Sequence, residues 1–146
     1  MNKDYILLAG VWFGPVKPQP AIILPAVLDK LRHLHSVGID VSTPDGKKKV
    51  RAKLLLTVCD LPAKALILNQ IQYNGYFGCA YCFDEGVYTN RRMAYLPSEP
   101  HRPRTHARVQ RLAVTAESTG ECLYGIKGRS MLMEYSDIGY SEGYSN

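Results

Sequence analysis

The sequence predicts an α/β domain of modest size. Three observations carry that expectation. An apolar, strand-like run, Leu54–Val58, passes directly into a helix-like segment. An earlier helical stripe lies between Pro25 and Val37, and an Asp-Gly turn at Asp45-Gly46 separates two extended arms. At 146 residues the chain fits one domain of ordinary size.

Taken in order, Tyr5–Phe13 (YILLAGVWF) is a short apolar, aromatic-rich run and reads as a buried strand. Gly14–Pro20 holds three prolines in seven residues and reads as a loop. From Pro25, residues Val27, Leu28, Leu31, Leu34 and Val37 recur at helical spacing. Pro25 suits a first turn and Gly38 a C-terminal cap. Ile39–Val41, the turn Thr43–Gly46 and a long second arm, Lys47–Cys59, then predict a hairpin. In that arm Val50, Ala52 and Leu54 alternate with Lys47, Lys49, Arg51 and Lys53 before the continuous apolar run. The strand is therefore expected to start half-exposed and end buried on both faces.

Asp60 follows, and Leu61–Tyr73 reads as a helix: Pro62 is tolerated in the first turn, and Ala63, Leu66, Ile67 and Ile71 form a stripe. Asn74–Phe83 (NGYFGCAYCF) is a glycine- and aromatic-rich loop carrying a CxxC pair, Cys79 and Cys82. Beyond Asp84 apolar periodicity lapses through Pro103, and Thr105–Ala116 reads as a basic helix. Tyr135–Asn146 is rich in Gly, Ser and Tyr and reads as a disordered tail.

No apolar run reaches the ~18–20 residues needed to cross a bilayer. The N-terminus lacks a signal-peptide pattern, since Asp4 sits where a basic region belongs. The net charge of +5 is concentrated. Between Gly86 and Ala113 lie six arginines (Arg91, Arg92, Arg102, Arg104, Arg108, Arg111) against one acid, Glu99. Guanidinium forks suit phosphate oxygens, although a solvated linker accounts for the same composition.

Two features carry chemistry. Asp60 stands where a helix N-cap belongs. It also stands at the end of a strand, where a carboxylate can be aimed at Mg²⁺ or Mn²⁺. Cys79 and Cys82, between Gly78 and Phe83, look like half of a zinc knuckle. A redox pair is the rival reading, but no strand–CxxC–helix pattern is present. His101, His106 and Cys122 are the in-chain candidates for further zinc ligands. Cys59 and Cys122 otherwise read as small core residues. His33 and His35, two apart on a helix, fall on different faces and cannot share a metal.

The segment Leu54–Cys82 (LLLTVCDLPAKALILNQIQYNGYFGCAYC) resembles the DDE transposases of the CACTA (En/Spm) type, which carry a CD-x-PA-x-A strand–helix junction followed by F-N-G-x-x-GC-x-x-C. Agreement in order extends to VWFGPVKP (Val11–Pro18), the Pro25–Val37 helix, Arg104-Thr105-His106 and GIKGRS (Gly125–Ser130), covering most of the chain between Ile6 and Leu132. The resemblance implies an RNase H-like catalytic domain in a nuclear, DNA-joining protein that uses Mg²⁺ or Mn²⁺ held by Asp, Asp and Glu. Asp60 matches the second acid, and Cys79 and Cys82 match the first half of the family's zinc site. Asp4 does not match the first acid. YSDIGYSEGYSN (Tyr135–Asn146) stands where the family has a hydrophobic stretch with an acid and a histidine.

The resulting expectation is a fragment of such a transposase, inactive as it stands, with an incomplete RNase H-like mixed sheet. Its parts would be a partial core (1–75), half a zinc knuckle (76–85), a basic linker or the start of an insertion (86–132) and a disordered tail (133–146). The alternative is a non-catalytic zinc- and DNA-binding adaptor that uses the arginine-rich segment.

Overall fold

The computed structural model describes residues 8–96, 99–100 and 102–133, together with the backbone of 144–145. The architecture is mixed α/β, with three helices and small two-stranded pairings among the described residues. The chain divides into two compact units at Ala52/Lys53.

In the first unit, α1 spans Pro20–Ser36 and begins five residues before the expected Pro25. Pro20 sits in the first turn, where its missing N–H costs nothing, while Pro25 lies inside the helix and removes one bond of the ladder. The helix ends as expected. Gly38 takes φ +78, and the Val37 and Gly38 amides both donate to the His33 carbonyl. Leu28 is its buried residue, at 1 % exposure. β1 (Ile39–Thr43) pairs antiparallel with β2 (Gly46–Val50) in the register Thr43↔Gly46, closed by Pro44-Asp45. The Thr43 hydroxyl donates to the Gly46 carbonyl at 2.7 Å across that turn.

Two sequence expectations for strands fail. Leu8–Phe13 forms no strand: Leu8 and Val11 are 81 % exposed and Phe13 fully so; Tyr5–Leu7 lie outside the described residues. The long arm breaks after Val50, and only β3 (Thr57–Val58) is extended beyond it, paired parallel with β6 (Tyr144–Ser145). Leu55 is 78 % and Val58 67 % exposed, so the expected burial on both faces is absent. An apolar strand is buried only when neighbouring strands and covering helices supply both edges and both faces. Among the described residues no sheet exceeds two strands.

The second unit has a denser interior. Asp60 caps α2 (Leu61–Ile67), which stops six residues short of the expected Tyr73. Asn69 takes φ +51, and the Gln70 amide turns back to the Ala65 carbonyl at 2.9 Å. Asn is among the few residues that adopt this geometry readily. The freed segment pairs with the GIKG motif instead: Ile71 N–H donates to Gly125 and Lys127 N–H to Asn69, flanking the bridge Gln70↔Ile126.

The segment 86–132, expected to be a basic linker or the start of an insertion, carries a hairpin and a helix among its described residues. β4 (Val87–Thr89) and β5 (Arg92–Ala94) form a hairpin whose turn residues Asn90 and Arg91 have φ +49 and +60. Two consecutive positive φ values mark a mirror-image turn that fits strand twist. α3 (His106–Thr119) runs from Thr105 to a left-handed Gly120, close to the expected Thr105–Ala116. It buries Val109, Ala113 and Ala116 beside a core of Leu68, Phe83, Ile126 and Leu132. Met133, placed by sequence in the tail, is buried; residues 134–143 and 146 lie outside the described residues.

Gly120 and Gly125 separate two costs. Both have positive φ (+71 and +81), but a Cβ at Gly120 meets nothing within 4 Å, whereas at Gly125 it falls 2.2 Å from the Phe77 carbonyl oxygen. Gly120→Ala is expected to cost about 1 kcal/mol, the left-handed penalty alone. Gly125→Ala should cost several-fold more, because backbone must move; thermal or urea denaturation of both variants checks the difference.

Candidate functional site

The CxxC loop is fixed from three sides. Gly78 is required by a close approach, since a Cβ there would stand 2.0 Å from the Gln72 carbonyl oxygen. Tyr95, at the end of the β4–β5 hairpin, reaches over the loop. Its hydroxyl donates to the Tyr73 and Gly75 carbonyls and accepts the Gly78 amide at 3.1 Å. Opposite, the strand-like 102–104 runs antiparallel to 81–83: Phe83 N–H donates to Arg102 and Arg104 N–H to Tyr81, both at 2.8 Å.

Arg104 is the centre of this arrangement. Its side chain is buried, at 1 % exposure. Nε donates to the carbonyls of Cys79 (2.8 Å) and Cys82 (2.9 Å). Nη2 donates to those of Phe77 (2.6 Å) and Tyr124 (3.0 Å). The guanidinium carbon lies 4.5 Å from the centroid of the fully buried Phe83 ring, and that of Arg108 lies 4.7 Å from the same ring.

Cys79 Sγ accepts the Tyr81 amide at 3.4 Å. Burial, above all, pushes the Cys82 thiol from an ordinary value of 9.0 up to about 12. The Asp84 side chain and the Cys79 thiol add to the rise, while the Asp84 amide opposes it. Asp84 is itself buried and holds Arg102 at 3.5 Å. Beside the loop a cleft of about 240 Å³ is lined by Leu61, Lys64, Tyr73, Cys79, Tyr81 and Tyr95. Lys64 is 3 % exposed, with Nζ 4.9 Å from the Tyr81 ring centroid.

The sequence-derived candidates fare unevenly. Asp60 is exposed and acts as a cap, its Oδ1 accepting the Ala63 amide at 2.7 Å. No group of three or more His, Cys, Asp or Glu residues suited to a metal ion occurs among the described residues. The described residues therefore fit neither a two-metal acid site nor a closed tetrahedral zinc site. Of the further zinc candidates, Cys122 is exposed rather than in the core, and His101 lies outside the described residues. His106 opens α3 half-buried, with Nδ1 buried and without a hydrogen-bond partner. Cys59 is half-buried rather than fully so. His33 and His35 are exposed.

Among the arginines, Arg104 is withdrawn from any phosphate role: it is buried, and four carbonyls hold its Nε and Nη2. Arg91, Arg92 and Arg111 are exposed, Arg102 is exposed beside Asp84, and Arg108 is half-buried against Phe83. Sequence patterning missed Tyr95, Lys64 and Arg129. Arg129 joins Arg111 at a groove of about 680 Å³ on α3 and pairs with Glu117 at 2.6 Å.

No protein-family model, curated protein or solved structure matches the chain. Among the described residues no helix is long and apolar enough to cross a membrane.

Three measurements probe this site. Asp60→Ala should lose about 1 kcal/mol of stability and Asp60→Ser should retain most of it, because a serine hydroxyl also caps a helix; denaturant midpoints of the two variants decide. Iodoacetamide, which attacks thiolates, should label exposed Cys122 first and Cys82 last. The raised Cys82 pKa means the folded state holds its proton longer than the unfolded chain. Its contribution is complete below pH 9 and is lost as pH rises toward about 12. Melting temperature should therefore fall through that alkaline window, and less so in Cys82→Ala.

Proposed function

We propose that the chain is part of a transposon-derived DDE transposase of the CACTA type, contributing the middle of an RNase H-like core and the first half of a zinc knuckle. The observation that carries the reading is the Leu54–Cys82 motif: an acid at a strand–helix junction, then a glycine-bound CxxC. The local geometry is compatible with it. Asp60 caps α2 two residues after β3, and Cys79 and Cys82 share one loop whose carbonyls Arg104 holds. A carboxylate has two oxygens and about four lone-pair sites, so capping by Oδ1 leaves capacity for another ligand.

On this reading Asp60 is the second acid of a triad, and the first acid, the catalytic Glu and two zinc-binding histidines come from residues outside this sequence. Zinc would be held in part by Cys79 and Cys82, and Mg²⁺ or Mn²⁺ in part by Asp60. With one acid and two thiols, no metal-dependent step is assigned to the chain itself. DNA is the partner, met by Arg91, Arg92, Arg102, Arg108 and Arg111, and the location is nuclear.

A non-catalytic DNA-binding adaptor is the second reading. It is favoured by exposed arginines on both the β4–β5 turn and α3, in a unit whose described residues hold no three-acid cluster.

Incubation of the purified chain with Mn²⁺ and duplex DNA should give no cleavage. Cleavage that Asp60→Ala abolishes would overturn the proposal of an incomplete site. Duplex binding should weaken as salt rises, and Arg91→Ala/Arg92→Ala should reduce the log–log slope by about 0.9 per lost phosphate contact. Salt-independent binding, or none, removes both DNA-binding readings.

A further inference from the structure

A structural zinc in a knuckle cross-links a loop too short and too glycine-rich to hold its own shape. The CxxC loop here has another cross-link at that position. One buried guanidinium collects the carbonyls of Phe77, Cys79 and Cys82 within the loop and that of Tyr124 outside it. These carbonyls belong to irregular backbone, and the guanidinium donates to all four from one rigid plane. The plane rests on Phe83, the residue after the second cysteine, and the Arg104 amide closes the circuit to Tyr81. Tyr95 secures the loop's entry at Gly75 and Gly78.

We propose that Arg104 takes over the shaping role of a structural metal, so that the loop carrying Cys79 and Cys82 keeps its shape in the metal-free chain. Arg104 is a positioning residue: it touches neither sulfur and acts on both through their own backbone carbonyls. Metal then adds occupancy to the pair and leaves the loop unchanged. Two coordination positions stay available to ligands from another segment. The inference goes beyond the transposase reading and stands whether or not that reading does, since it concerns what shapes the loop and not what the chain acts on.

Amide hydrogen exchange of the full-length chain after EDTA treatment is the direct test. The Phe83 and Arg104 amides, which bridge 81–83 to 102–104, should be protected without metal, and added Zn²⁺ should leave their protection unchanged. Free exchange after EDTA, restored by Zn²⁺, overturns the proposal by showing that the metal shapes the loop.

The thiols give a second readout, in a background carrying Cys59→Ser and Cys122→Ser. The pair reduces one oxidised glutathione to two reduced ones while forming one S–S bond, so the equilibrium measures how closely the sulfurs are held. Arg104→Lys keeps the charge but loses the fork, and should lower the effective concentration of the pair about tenfold. Arg108→Ala, which removes the second guanidinium from Phe83, should leave it unchanged. An Arg104→Lys equilibrium equal to that of the parent, or an equal drop in Arg108→Ala, sinks the assignment. Should Arg104→Lys fail to fold, the exchange measurement on the unmutated loop decides alone.

Discussion

A positive charge buried without compensation is among the most expensive features a small domain can carry. The second unit is organised around a buried positive charge that is compensated, the Arg104 guanidinium. Arg104 leaves the surface only because irregular backbone offers it four carbonyls and an aromatic face. The dependence runs both ways. Carbonyls at Phe77, Cys79, Cys82 and Tyr124 lie in no helix or ladder, and buried carbonyls need a donor as much as the guanidinium needs acceptors. Positive φ at Phe77 and Tyr124, rare for bulky residues, is the conformational cost of turning backbone toward the cation. α3 begins two residues later, so the helix start is tied to the same point.

The contrast with the residues around β3 explains where this order stops. Leu55, Leu56 and Val58 have the composition of a central strand but the exposure of a surface. Side-chain clamps act locally, whereas a strand needs edges and faces supplied by other elements. Among the described residues only a two-residue parallel pairing is present. Lysines along β2 discourage edge pairing there, but nothing comparable guards Leu54–Val58.

What the sequence made legible follows the range of the interactions. Caps and turns are local, and Gly38, Asp45-Gly46, Asp60 and Gly120 stand where residue type places them. Lengths were less legible. α2 ends early because Asn69 can turn left-handed and GIKG, more than fifty residues on, receives the released backbone. The β4–β5 hairpin escaped notice because its turn carries Arg91 rather than glycine after Asn90. The arginine-rich segment misled for a physical reason. Composition counts charges but cannot tell a guanidinium facing water from one facing carbonyls, and only the antiparallel meeting of 81–83 with 102–104 separates Arg104 from its neighbours.

Asp60 shows how a structural and a chemical role can share one residue. An N-cap needs one carboxylate oxygen and a fixed rotamer, and the bond to Ala63 supplies that fixation. A metal ligand at a strand terminus needs the same fixation, because a carboxylate free to rotate loses entropy on binding. Capping therefore does not argue against a ligand role; it preorganises the group for one. What decides between the roles is the company the carboxylate keeps. Among the described residues Asp60 belongs to no group of three or more metal-ligating side chains, and the cap is the role its geometry shows. The cysteine loop stands differently, because the backbone carbonyls of Cys79 and Cys82 are both held by Arg104.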